Sequence, residues 1–320
     1  MRPGEAYQLI SDNVQSVIQG KAEVVRLAIV AMFAEGHLLV EDVPGLGKTT
    51  MARCLARSIG GKWNRIQFTP DLLPSDISGV MVYHQRAENF EFHPGGIFAN
   101  IVLADEINRG TPKTQSALLE VMAEQQVTVD SVTHEVPRPF LVMATQNPIE
   151  LEGTYRLPEA QLDRFLMRIF VGYPDHDAEV RIVMGDASGV SPDQLSPVVD
   201  LAGMQEVIDT VRTGRVDPQI SSYAVRLVAA TREHMAVRYG ASPRGTVALV
   251  RAARALAGTH DRAFVTPDDI KDVAKPVLAH RIVLTPDAAL RQHTADEVVD
   301  DVLRAVPVPG IGVSAALNRG

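Results

Sequence analysis

The run from Leu38 to Thr50, Leu-Leu-Val-Glu-Asp-Val-Pro-Gly-Leu-Gly-Lys-Thr-Thr, leaves few ways for its surroundings to fold. It opens with three apolar residues of strand character and continues through a Pro/Gly-rich loop. A helical pattern follows at once, with Met51, Leu55 and Ile59 spaced i, i+4, i+8 ahead of Gly60-Gly61. Strand, glycine loop and helix is the geometry that wraps a polyphosphate. Gly45 and Gly47 let backbone amides converge on oxygens, and the helix N-terminus adds its partial positive charge. In that arrangement Lys48 reaches the β- and γ-phosphates and the Thr49 hydroxyl ligates Mg²⁺. Gly45, Leu46, Gly47, Lys48, Thr49 and Thr50 are therefore the candidate phosphate contacts. One position departs from the phosphate-loop pattern, which has Gly where this chain has Asp42. Asp42 falls at the strand exit, before the loop closes, where a side chain is tolerated. A chance Gly/Pro turn holding a lysine is the alternative, and the intact flanking elements argue against it.

At 320 residues the chain suits one large or two ordinary domains with a sizeable core. Its net charge of −8 argues against non-specific attraction to nucleic acid or an anionic membrane. Cys54, the only cysteine, excludes an internal disulfide and lies on the helical pattern after the loop, as a core residue of a reducing compartment would. Residues Met1 to Gln15 carry no apolar signal-peptide core, and Leu27 to Ala34 is far short of the ~20 residues a membrane span needs. A cytoplasmic protein is expected. Residues 5–35 read as two helices around Val17-Ile18-Gln19-Gly20. Val17 and Ile18 could pack on a nucleotide base or simply join the two helices; the sequence leaves both open.

A second chemical constellation is Ile101-Val102-Leu103-Ala104-Asp105-Glu106. Four apolar residues make a buried strand, and two carboxylates stand at its C-terminal end, where ligands bind in parallel α/β sheets. Mg²⁺ is hard and keeps its waters, so a carboxylate such as Asp105 suits it through water. Glu106 is placed to polarise a water attacking the γ-phosphate. Trp63 to Phe68 and Phe140 to Thr145 supply further strands, the latter ending at Gln146-Asn147-Pro148. Asn147 could hydrogen-bond the attacking water or merely form an Asn-Pro turn. Two hairpins are expected, one from Met81-Val82-Tyr83 to Phe90-Glu91-Phe92 and one around Asp130-Ser131. Thr111-Pro112 caps a helix through about Gln125. Leu157 to Phe165 reads as a short helix carrying Arg164, and Ile169-Phe170-Val171 as a fifth strand.

Past Gly189 to Pro197, rich in Ser and Pro, helix starts repeat with one chemistry. Asp217-Pro218, Ser242-Pro243 and Thr266-Pro267 each put a capping side chain before a proline. Arg244 sits in the first turn of the helix from Pro243, where a cation opposes the helix dipole. A phosphate would hold it there, and a solvated arginine is the plain alternative. Pro307 to Gly320 reads as a mobile tail.

These residues together resemble the MoxR family of AAA+ ATPases over about residues 15–285. The most specific stretches are Ala104-Asp105-Glu106-Ile107-Asn108-Arg109, Ala144-Thr145-Gln146-Asn147-Pro148 and the run from Gly153 to Phe165. Asp-Val-Pro-Gly in the loop also looks like that family. The resemblance implies Lys48 and Thr49 as Walker A, Asp105 and Glu106 as Walker B, Asn147 as sensor 1 and Arg244 as sensor 2. It implies Arg164 as an arginine finger serving a neighbouring subunit, with Arg156 and Arg168 the nearby alternatives. It further implies ATP and Mg²⁺ as ligands and a P-loop NTPase (AAA+) core, a five-stranded parallel sheet flanked by helices, over residues 1–188. That core carries a helix-2 insert at about 70–96 and a pre-sensor hairpin at about 126–138; a small all-helical lid follows at 189–305 and a tail at 306–320. Rings, usually hexamers, and chaperone-like remodelling of partners, often with a von Willebrand factor A domain, belong to the same expectation. Gly96 stands where the family pattern has proline.

Three other readings compete on this architecture. A nucleotide-gated scaffold with little turnover has no need of Glu106, Asn147 and Arg164. A nucleic-acid motor would want a basic strand-tracking hairpin, yet the hairpin from Glu124 to Arg138 offers Glu124, Asp130 and Glu135 against Arg138 and His134. A chelatase-type motor subunit remains the runner-up. The guanine-reading Asn-Lys-x-Asp motif does not occur.

Overall fold

The computed structural model describes residues 1–42, 45–86, 88–147, 154–173, 176–177, 179–180 and 191–309. Parts of the expected loop (Val43, Pro44), the Asn-Pro turn and the terminal tail thus lie outside the described residues. Helices α1 (Pro3–Gln15) and α2 (Ala22–Phe33) lead into β1 (Leu38–Glu41). Then come α3 (Lys48–Ser58), β2 (Trp63–Gln67), α4 (Pro74–Ser78) and the hairpin of β3 (Gly79–His84) and β4 (Asn89–Pro94). Strand β5 (Ile101–Asp105), α5 (Pro112–Glu124), the hairpin of β6 (Gln126–Val129) and β7 (Val132–Glu135), and β8 (Leu141–Gln146) follow. The core closes with α6 (Glu159–Leu162) and β9 (Met167–Ile169).

Five strands form one parallel sheet in the order β2-β5-β8-β1-β9. Near-continuous apolar runs suit strands covered on both faces. Alternation then divides them: Leu38, Val40, Leu103 and Met143 face α1, α2 and α3, whereas Leu39, Val102, Ala104 and Val142 face α5 and the hairpins. Cys54 lies fully buried on α3, its thiol pushed up to about 12 by burial, so it is a core residue as expected. Among the described residues no helix is long and apolar enough to cross a membrane.

The C-terminal part is built of helices Leu201–Arg212, Pro218–Glu233, Pro243–Thr259, Pro267–Leu278 and Ala295–Ala305. Asp217, Ser242 and Thr266 each accept a first-turn amide, as the repeated cap-proline pattern predicts; such caps are worth about 1 kcal/mol each. A short antiparallel ribbon, Val237–Tyr239 with Val283–Leu284, interrupts the expected all-helical lid. One apolar cluster runs from α1, α2 and α3 into these helices, so the N-terminal helices bridge sheet and lid.

Two elements differ from their sequence reading. The helix expected over Leu157 to Phe165 stops at Leu162, leaving Arg164 in the following turn. The amides of Arg164 and Phe165 bond Gln161 O and Leu162 O, three residues back rather than four, which tightens and ends the helix. The Arg281 guanidinium takes the carbonyls of Asp163 and Phe165, at 3.2 and 2.6 Å. The fifth strand sits two residues early, pairing Met167–Ile169 with Leu38–Val40. Its ladder ends because the amides of Val171 and Gly172 bond the Asp42 carboxylate rather than a neighbouring strand. Gly96 also finds its reason. Its amide donates to Asp76 O at 2.9 Å, which proline could not do, and a Cβ there would meet Ile66 at 2.7 Å.

His37, at the foot of β1, is buried with Nδ1 accepting from the Val142 amide at 3.1 Å, so Nε2 donates to Met122 O at 3.0 Å. Acceptance at Nδ1 needs the neutral ring, and burial lowers its pKa to about 4. An unfolded histidine takes up a proton near pH 6.5 while this one stays neutral until about 4, so stability falls as pH drops through that window. Urea midpoints should record a loss of about 1 kcal/mol from this residue between pH 7 and 5.5. The pH slope should flatten in His37→Gln. An unchanged slope in that variant would contradict the assignment.

Candidate active site

Every strand of the sheet points its carboxyl end at one edge, and the candidate site is built there. After β1 the chain enters a loop in which Gly45 and Gly47 hold φ of 88° and 79°, a region only glycine enters freely. Gly47 caps α3, so the first amides of that helix open into a cavity of about 360 Å³. Lys48, Thr49 and Thr50 line it from one side and Asp105, Glu106 and Asn147 from the other. The Lys48 ammonium rests on the Asp42 carbonyl at 2.9 Å. Burial pulls its pKa below the ordinary lysine range, opposed by the carboxylates of Asp42, Asp105 and Glu106. A cation that gives up solvent in front of three carboxylates is poised for an anionic ligand.

Asp42, the departure from the loop pattern, has a structural task. Its carboxylate accepts from the amides of Val171 and Gly172, and Lys21 Nζ donates to the carbonyls of Gly172 and Tyr173 at 2.9 and 2.7 Å. Together they fold the 171–173 segment against the loop. A smaller cavity of about 250 Å³ results, lined by Val17, Ile18, Leu46 and Gly172 and contiguous with the first through Gly45, Gly47 and Thr50. Val17 and Ile18 thus line a cavity beside the glycine loop and also pack on the core, which accords with both readings left open for them.

At the end of β5, Asp105 Oδ1 accepts from the Thr145 hydroxyl at 2.6 Å and Oδ2 from Arg65 at 2.6 and 3.1 Å. Three of about four acceptor positions of that carboxylate are thus engaged. The remainder suits a metal-bound water better than direct bidentate ligation. Glu106 has φ of 55°, an uncommon left-handed conformation for a side-chain-bearing residue, with its amide held by Thr145 Oγ1 at 2.8 Å. Such conformations cost about 1–3 kcal/mol and gather at functional sites. Its carboxylate is held by Gln67 at 2.8 Å and Arg109 at 3.1 Å. Thr49 and Asp105 in one cavity, with hard oxygen donors and no thiolate or imidazole, fit Mg²⁺. Arg65, Gln67 and Arg109 escape the sequence reading. The first two are polar residues of a half-exposed edge strand, and only the strand order reveals that β2 lies beside β5.

Arg164 and Arg244 do not join this cavity. They line another, of about 460 Å³, together with Asp163 and Arg281. Arg164 donates to Leu119 O at 2.6 Å, and Arg244 is exposed in the first turn of its helix. Among the described residues no carboxylate pairs with Arg244. The turn carrying Arg164 is held from the lid: Arg281 bonds Asp163 Oδ1 at 2.7 Å, and Ser242, which caps the helix bearing Arg244, donates to Asp163 Oδ2 at 2.9 Å. Of the alternative arginines, Arg168 is occupied by Glu41 at 3.1 Å, whereas Arg156 is exposed.

Comparison with known proteins agrees with this arrangement. Residues 37–167 match the family model for the ATPase family associated with various cellular activities (AAA), and residues 229–302 match the AAA lid domain. The chain is 48% identical to the uncharacterized protein YeaC of Bacillus subtilis over 93% of both chains. It is 43% identical to Chaperone MoxR1 of Mycobacterium tuberculosis over 93% of this chain and 81% of that one. Protein MoxR of Methylorubrum extorquens is 31% identical over 96% and 97% of the two chains. A crystal structure from Cytophaga hutchinsonii assigned as an ATPase superposes with a TM-score of 0.90 at 38% identity over 96% of each chain. With its glycine loop at a helix N-terminus, its paired carboxylates and its lid, the chain belongs to the MoxR family of AAA+ ATPases.

Proposed function

We propose that this protein hydrolyses ATP in a site completed by a second copy of itself, and uses the turnover to remodel partner proteins. The observation that carries the reading is the separation of two half-sites. Phosphate-binding and water-activating groups share one cavity, while Arg164 and Arg244 line another.

Within the first half-site the Gly45 to Thr50 amides and Lys48 cradle the phosphates, and Val17 and Ile18 cover the base. Thr49, with Asp105 through water, would hold Mg²⁺, which when bound neutralises charge on the β- and γ-phosphates. Glu106 accepts the proton of the attacking water, and Asn147 orients that water or the γ-phosphate. Gln67 and Arg109 hold the Glu106 carboxylate in place at the cavity wall. Arg164 and Arg244 serve the neighbouring subunit, which favours a ring, in this family usually a hexamer. Cytoplasmic location and client proteins, including ones with a von Willebrand factor A domain, follow from the family alone. The net charge of −8 argues against nucleic acid as client.

Lys48→Ala should lose nucleotide binding, whereas Glu106→Gln should bind ATP and fail to hydrolyse it. Fluorescent-nucleotide titration and phosphate release separate the two. Wild-type turnover by Glu106→Gln would remove Glu106 from its role.

Arg164→Ala should bind ATP normally and lose ~10³–10⁵-fold in turnover, the range of an arginine finger. Mixed with equally inactive Lys48→Ala chains it should regain activity, because some interfaces then pair an intact Lys48 with an intact Arg164. Near-normal hydrolysis by Arg164→Ala alone would sink the shared site, and the same assay on Arg156→Ala tests the alternative finger.

A further inference from the structure

The hairpin of β3 and β4 carries a cluster that the ATPase reading does not use. In its antiparallel register Val80 faces His93, Val82 faces Glu91 and His84 faces Asn89. Alternation therefore puts His84, Glu91 and His93 on one face. The opposite face holds Phe92, which stacks on His134 at 3.8 Å between ring centroids and meets Phe98 edge-on at 5.4 Å. Phe92 is thus packed against the molecule, whereas Tyr83 and Phe90 further along that face are exposed. The histidine face is left to solvent.

On that face one ligand atom from each of His84, Glu91 and His93 lies within 4.8 Å of the other two. His84 Nε2 stands 3.4 Å from His93 Nε2 and 3.2 Å from Glu91 Oε2. Zinc bonds to imidazole and carboxylate of about 2.0–2.1 Å in a tetrahedron imply ligand–ligand edges of about 3.3 Å. Two measured edges match that value. The donors come from two strands locked by a continuous ladder, so the cluster does not depend on a loose loop. A His84–Glu91 ion pair and a hydrogen bond between the two imidazoles hold the three donors together, so the cluster is already assembled for an ion.

We propose that His84, Glu91 and His93 form a binding site for a divalent transition ion of the zinc class on this inserted hairpin. Two imidazoles and one carboxylate suit zinc, cobalt or nickel, whereas Mg²⁺ prefers an octahedron of oxygens. Three protein ligands leave a coordination position for water or for a donor from a bound protein. The site is independent of the nucleotide cavity, and its failure would leave the ATPase reading untouched.

The test uses untagged full-length protein and Zn²⁺ alone, titrated in competition with a chromophoric chelator in excess Mg²⁺. Zn²⁺ should bind at one equivalent per chain, and Co²⁺ should give visible absorption of tetrahedral intensity. Outer-shell changes already cost about 10- to 100-fold in metal affinity, so His84→Ala and His93→Ala should each weaken Zn²⁺ by at least ~10-fold. Hydrogen exchange across residues 79–94 should slow on adding Zn²⁺. Basal ATP turnover of the double variant should match wild type; if that variant folds poorly, Glu91→Gln decides by the same titration. Equal Zn²⁺ uptake by wild type and variant, or none by wild type, would overturn the site.

Discussion

Everything at the active edge depends on β8 pairing in parallel with β5 on one side and β1 on the other. Lys48 follows β1 and Glu106 follows β5, and neither strand touches the other. Only their shared neighbour puts the phosphate loop and the carboxylates in one cavity. That neighbour also contributes chemistry, since Thr145 near its end bonds both the Asp105 carboxylate and the Glu106 amide. Apolar residues on both faces fix the register of β8, because a slip by one position would exchange the two cores. Packing in the interior therefore sets distances at the edge.

A second constraint ties the lid to the core. The Arg281 and Asp163 side chains are 3% and 14% exposed, and their contact is reinforced by the carbonyls of Asp163, Phe165 and Leu166 and by His280. Leaving one partner of such a buried pair alone typically costs ~3–5 kcal/mol. The clasp sits next to Arg164 in the chain and, through Ser242, at the head of the helix carrying Arg244. The lid and the turn carrying Arg164 are thus held together. If the active site is shared as proposed, a lid that shifts on nucleotide binding would carry both arginines with it.

What could be read from the sequence is what local chemistry dictates. The loop after Leu38-Leu39-Val40 and the acids after Ile101 to Ala104 were legible because an apolar strand followed by a special turn has one geometry. The proline-led helix starts were legible because capping is confined to four residues. Arg65, Gln67 and Arg281 were not, since their roles come from strands and helices adjacent only in space. The length of the helix before Arg164 failed for a related reason. Its local pattern continues to Phe165, but the chain tightens into three-residue turns there, and the distant Arg281 holds the carbonyls of Asp163 and Phe165. Asp42, which departs from the general phosphate-loop pattern, and Gly96, which departs from the family pattern, became intelligible once their partners at Val171, Gly172 and Asp76 were visible.

The central claim is that one chain holds two halves of different active sites. Its most direct measure is ATP turnover per chain against protein concentration, with particle mass followed by light scattering. Turnover per chain should rise steeply as assemblies form and fall toward nothing as dilution returns the protein to monomers. Constant turnover per chain in a preparation that stays monomeric throughout would contradict the account.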